Sequence, residues 1–196
     1  MSEIPTIIGK QIILRKIKES DIDDRFKIGR HHEFVHMCGG ESLSAPEFPD
    51  RSQWENWFIS KKDEEHSWIV EKDGHCIGTA GFHHISSTDN SATYRIGIFD
   101  PTFHSQGIGT EVTMLLLKYG FETIKWHRID LKVLNYNNRA IRCYEKCGFK
   151  KDGVLRENAY IEGKYYSDVV MSILNYEYQI LINKPGGLCN SSQKKH

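Results

Sequence analysis

Residues 32–36 read His-Glu-Phe-Val-His, a spacing that on a helix sets two imidazoles one turn apart with a carboxylate between them, as zinc hydrolases require. Two ligands fall short of a catalytic zinc site, which needs a third protein ligand and an open position, and no extended pattern follows to supply one. Met37-Cys38-Gly39-Gly40 also ends any helix there, so no metal is expected. A second spacing says more. Asp100 to Thr110 places glycines at 107 and 109 directly before a helix with apolar periodicity. Glycine lets the backbone close on a ligand, and a helix start offers unpaired N–H groups at the positive end of its dipole, so this loop suits a phosphate or diphosphate. No Lys-Ser/Thr pair follows the second glycine, and Val112 occupies the third position of G-x-G-x-x-G, which removes the nucleoside triphosphate and dinucleotide readings. On its own, G-x-G before a helix also fits a plain tight turn.

The elements that must position these residues follow from periodicity. Residues 6–17 are β-branched enough for a strand, and Ser20 caps a helix with acids in its first turn. Residues 31–50, rich in Gly, Ser and Pro, read as a loop beside the site, and 51–62 as a helix with Trp54, Trp57 and Phe58 on one face. Two strands flank Asp73-Gly74, a hairpin signal, and a third covers 92–100. A helix from 108, a strand over 128–134, a helix over 137–147 and two closing strands, 148–160 and 164–178, complete the chain.

With 196 residues, 39% of them hydrophobic, the chain can bury one sizeable core. It is expected as a single domain over residues 1–180 with a flexible, polar tail over 181–196. Lys plus Arg number 26 and Asp plus Glu 26, so no basic field draws nucleic acid. Neither an export signal nor an 18-residue apolar run is present, so a cytoplasmic protein without membrane attachment is expected. Five cysteines without a C-x-x-C pair read as reduced thiols, Cys143 and Cys147 as small buried hydrophobes on one helix face.

The segments 95–101, 104–112, 128–141 and 143–149 (Arg-Ile-Gly-Ile-Phe-Asp-Pro, His-Ser-Gln-Gly-Ile-Gly-Thr-Glu-Val, Arg-Ile-Asp-Leu-Lys-Val-Leu-Asn-Tyr-Asn-Asn-Arg-Ala-Ile, Cys-Tyr-Glu-Lys-Cys-Gly-Phe) resemble, in order and spacing, the Gcn5-related N-acetyltransferase family. The likeness is strongest to the branch of Rim-type ribosomal-protein N-terminal acetyltransferases and spermidine acetyltransferases, and it spans residues 10–176. It implies an α/β (α+β) fold: a mixed, mostly antiparallel seven-stranded sheet flanked by helices and splayed between its fourth and fifth strands, 92–99 and 128–134. Acetyl-coenzyme A would lie in that opening, its pantetheine amides on Ile96, Gly97 and Ile98. Its diphosphate would sit on the backbone of the loop from Ser105, on the N–H groups of Gln106, Gly107, Ile108, Gly109 and Thr110. His104 stands where the family motif begins with Gln or Arg, and Ala140 where the Rim branch often has Ser. Asn137 matches the asparagine that reaches the pantetheine arm, and Tyr144 the tyrosine beside the coenzyme sulfur.

Amide formation by acetyl transfer requires an amine to lose a proton, attack a thioester through an oxyanion, and expel a thiolate that is then protonated. The resemblance makes Tyr144 the general acid and a backbone N–H, that of Ile98, the oxyanion donor. The family's strand glutamate is replaced by Tyr94, which leaves the base open. His83 and His84 alternate faces on the preceding strand, so one of them would point at the site; a neutral imidazole can accept the proton. Glu157 and Asp168 could instead attract a cationic amine, as could the scattered acids Glu33, Glu41, Glu47 and Glu162. The acceptor is expected to be a primary amine, a protein N-terminus or a small polyamine or aminoglycoside. A regulatory coenzyme-binding module with degenerate catalysis is the other reading, and a sheet edge or aromatic surface is open to homodimer formation.

Overall fold

The computed structural model describes residues 4–40 and 50–184. The first expected strand is broken. Gly9 to Ile12 make a tight reversal, Gly9 N–H donating to Ile12 O at 2.9 Å, so β1 (Ile7–Ile8) and β2 (Ile13–Arg15) pair antiparallel as two short strands. The sheet therefore has eight strands among the described residues, not seven. After β2 come α1 (Asp21–Ile28), α2 (His32–Met37) and α3 (Arg51–Lys62), so part of the expected 31–50 loop is helical, and its residues 41–49 lie outside the described residues. β3 (Ser67–Lys72) and β4 (His75–Ser86) form the hairpin about Asp73 (φ 51°) and Gly74 (φ 84°), two successive left-handed residues as a type I′ turn demands. β5 (Ser91–Ile98), α4 (Ile108–Lys118), β6 (Arg128–Leu134), α5 (Asn138–Lys146), β7 (Lys150–Ile161), β8 (Lys164–Leu174) and α6 (Asn175–Asn183) follow.

The last expected strand thus ends at Leu174, where Glu177 accepts from the Leu174 N–H at 3.0 Å and starts a helix. This helix runs past the expected domain boundary at 180 and buries Tyr178 in the core. Residues 185–196, most of the expected tail, lie outside the described residues.

Strand order is β1-β2-β3-β4-β5-β6-β8-β7, antiparallel throughout except for β5 and β6. Strand alternation divides two layers. Phe82, Tyr94, Ile129 and Leu131 point toward α4, whose Val112, Leu116 and Leu117 complete the main core. Ile69, Cys76 and Phe99 point the other way, toward Phe34 of α2 and Trp57 of α3. Between β2 and α1 the buried Arg15 guanidinium is gripped by both Asp21 carboxylate oxygens, at 2.7 and 2.8 Å, and by Glu71, while Asp21 also accepts from the Lys18 N–H. Removing one partner of a buried pair strands the other charge. Asp21→Ala should therefore cost about 3 kcal/mol of stability in urea titration, and a loss below ~1 kcal/mol would show that Glu71 alone suffices.

Candidate active site

β5 pairs with β6 over only three positions, Ser91 with Arg128 through Thr93 with Asp130, and the strands then part. Phe99 N–H donates to Ile77 O at 2.9 Å, so odd-numbered residues of β5 turn their backbone groups to β4 and even-numbered ones to the gap. Ile96 and Ile98 thus turn their N–H and C=O groups to the opening. Gly97 differs: its amide faces β4, opposite Thr79. Its missing side chain matters instead, because a Cβ there would lie 3.1 Å from the Phe34 ring.

A cleft of ≈ 720 Å³ fills the gap, reaching from the glycine loop to Asp168 on β8. At the loop end, Ser105 (φ 61°) and Gly107 (φ 83°) are both left-handed, a run of dihedrals that turns successive N–H groups to one side. Gly107 is the N-cap of α4, no side chain caps that helix, and the first bond at its start is Glu111 N–H to Gly107 O. The N–H groups of Ile108, Gly109 and Thr110 are therefore unpaired within the helix, and an anion fits where they converge. Ile108 itself is buried in the core and Gln106 donates its side chain to Thr102 O, so these two serve through backbone only. Arg139, Arg142 and Lys146, spaced to share one face of α5, line the cleft. That basic stripe was readable from spacing and was missed; it suits the phosphates of coenzyme A.

His104 does not stand idle where the motif departs: its Nε2 lies 3.1 Å from Ile98 O, occupying one acceptor on the open edge. Asn137 lines the cleft with both ends of its amide engaged, Oδ1 capping α5 at Ala140 N–H and Nδ2 donating to Met37 O. Ala140 packs beside the core.

Tyr144 is buried, lines the cleft and packs edge-on to Tyr94 at 6.3 Å; no described residue hydrogen-bonds its hydroxyl. Burial pushes its phenol up, keeping it protonated and able to donate. Tyr94, at the position of the missing glutamate, is no base: burial holds its phenol far above the ordinary value, and it bonds Thr113 on the α4 side at 3.0 Å. The expected alternation of His83 and His84 fails. The β4–β5 register shifts after His83, His84 turns left-handed (φ 47°), and both rings line the cleft, 4.5 Å apart. Burial, then His84 and Arg95, pull the His83 imidazole down, so it is neutral at physiological pH. Glu157 accepts no role in the cleft lining, whereas Asp168 does line it, with Oδ2 receiving Asn158 Nδ2 at 2.6 Å. The His-Glu-Phe-Val-His stretch forms α2, and among the described residues no group of three metal-ligating side chains occurs.

Cys143 lies under the loop, Sγ 3.4 Å from Thr110 Oγ1, and its interaction with the neighbouring Cys147 holds its thiol below the usual range while raising that of Cys147, whose Sγ lies 3.7 Å from Thr110 O. Iodoacetamide near pH 7 should alkylate Cys143 before Cys147, and saturating coenzyme A should slow the reaction; equal labelling of the two would contradict the assigned direction.

A family model described as an acetyltransferase (GNAT) domain matches residues 11–150. The Bacillus subtilis protein named probable N-acetyltransferase YjcK is 35% identical over 85% of this chain and 96% of its own. The Escherichia coli K12 spermidine N(1)-acetyltransferase is 30% identical over 62% of this chain and 65% of its own. The crystal structure of spermidine N-acetyltransferase from Vibrio cholerae in complex with CoA and spermine superposes with a TM-score of 0.72 at 23% identity, covering 87% of this chain and 99% of that one.

Proposed function

The chain belongs to the GNAT acetyltransferase family and is an N-acetyltransferase that uses acetyl-coenzyme A, and from that premise we propose direct attack by a primary amine within the β5–β6 gap. The observation that carries this is the parting of the two strands, which exposes the Ile96 and Ile98 backbone between the uncapped α4 start, Tyr144 and the two histidines. Acetyl-coenzyme A supplies an acyl group activated as a thioester and a thiolate leaving group. The unpaired N–H groups of Ile108, Gly109 and Thr110, with the basic face of α5, hold its phosphates. The N–H of Ile98 donates where negative charge grows on the acyl oxygen. His83 takes the proton that the amine nitrogen loses as it bonds to the acyl carbon, and Tyr144 gives a proton to the sulfur as the carbon–sulfur bond breaks. Gly97 and Phe34 shape the wall between these two halves.

The transferase unit is proposed as one domain running through α6, acting in the cytoplasm; no described helix is long and apolar enough to cross a membrane. Relatives named for spermidine favour a small amine over a protein N-terminus as acceptor.

Thiol release from acetyl-coenzyme A with an amine panel tests the assignment. Tyr144→Phe should lower kcat by about 10²-fold with coenzyme binding retained, and an unchanged kcat would remove Tyr144 as the acid. Because the His83 pKa is depressed, its base form persists at neutral pH, and kcat/KM should fall only as pH drops below the ordinary imidazole range. His83→Gln should abolish that acid limb along with most of the rate; a variant that keeps both would place the base elsewhere.

A further inference from the structure

Charges on the amine side of the gap narrow the acceptor, an inference that rests on the transferase reading above. Thr93 bonds Asp130 across the closed end at 2.8 Å, which fixes the face of β6 turned away from α4 as Asp130, Lys132 and Leu134. Lys132 lies opposite Val170, and Leu134 opposite Asp168, so Lys132 and Asp168 are diagonal neighbours on one face, and both line the cleft. No described residue pairs with the Lys132 ammonium. The other charges on this side are already matched: Arg95 is held by Glu64 at 2.5 Å, and Asp130 receives Thr93 and Arg128. Arg139, with Glu33 at 2.8 Å, Arg142 and Lys146 stand at the opposite end beside the glycine loop. Among the described residues lining the cleft, Asp168 is the one carboxylate, and half of it is occupied by Asn158.

An acceptor with several ammonium groups would set one of them against Lys132, because the single carboxylate lining the cleft among the described residues, Asp168, is shared with Asn158 and can meet only one of them. An acceptor with one amine and one anion meets complementary charge at both ends. We propose that the acceptor is a small primary amine that carries its own carboxylate or phosphate, its amine toward Asp168 and His83 and its anion on Lys132. This departs from the polyamine acceptor named for the spermidine relatives, and the physical cause is a lysine on β6 that lines the cleft and that no described residue pairs.

Two matched pairs test it: alanine against alaninamide, and phosphoethanolamine against ethanolamine, with spermidine alongside. Each is titrated by calorimetry into the full-length protein saturated with coenzyme A, and each is assayed for thiol release with acetyl-coenzyme A. The anionic member of a pair should bind at least about tenfold more tightly, and Lys132→Gln should bring the pair within roughly threefold. The pair showing the larger ratio identifies carboxylate or phosphate as the anion. Equal or tighter binding of the neutral members or of spermidine, or a ratio that survives Lys132→Gln, overturns the proposal. Anion-dependent binding without thiol release from any amine would instead count against the transferase mechanism while upholding the charge assignment, so the two failures are told apart.

Discussion

Backbone N–H and C=O groups inside a protein must find partners, and the parting of β6 from β5 after Thr93 leaves a row of them open. Every feature of the site answers that gap. His104 takes the Ile98 carbonyl, and the remaining edge groups of Ile96 and Ile98 are available to a ligand that brings its own amides. An extended amide-bearing arm is the complement of an unpaired strand edge, in the way a further strand would be. In the proposed complex the donor is recognised first by main-chain geometry and only then by side chains.

The opening is braced from outside the sheet. Asn137 ties the start of α5 to the Met37 carbonyl, Tyr136 donates to the His36 carbonyl at 2.6 Å, and Glu33 pairs with Arg139, so α2 is fastened to the far side of the gap at three points. Phe34 then leans on the bare α-carbon of Gly97 from within. The segment whose spacing imitates a zinc site is in this way a strut, and His36 stacks on Tyr136 at 4.8 Å. Its two histidines follow helical spacing because the stretch is helical, which is all that the spacing required.

Chemistry divides along the same line. On the α4 side, burial keeps Tyr144 and Tyr94 protonated; the hydroxyl of the first is bonded by no described residue and that of the second is tied to Thr113. On the opposite side burial keeps His83 unprotonated. A proton donor and a proton acceptor are thereby held on the two faces of one sheet by the same physical cause acting on acids of opposite charge type. The left-handed kink at His84 adds a second imidazole, and that proximity further disfavours the charged form of the first.

What the sequence by itself determined was local: the turn at Asp73-Gly74, the glycine loop with its open helix start, the order of strands and helices from 51 as far as Leu174, and Tyr144 by its place in a recognisable segment. Each depends on residues within a few positions of one another, where backbone conformation and periodicity are decided. Tertiary structure alone decided the rest. Alternation suggested one histidine in the cleft, but a register shift against β5 brought two; one strand was expected over 6–17, but Gly9 found its partner in Ile12 and Glu111 of α4 accepted the Gln11 N–H. Asn137 bears a motif residue's identity yet its amide is committed to α5 and Met37, and only the pairing of β6 with β8 sets Lys132 diagonal to Asp168 in the cleft. Pairing register and charge compensation are properties of contacts between distant segments, and a linear pattern does not contain them.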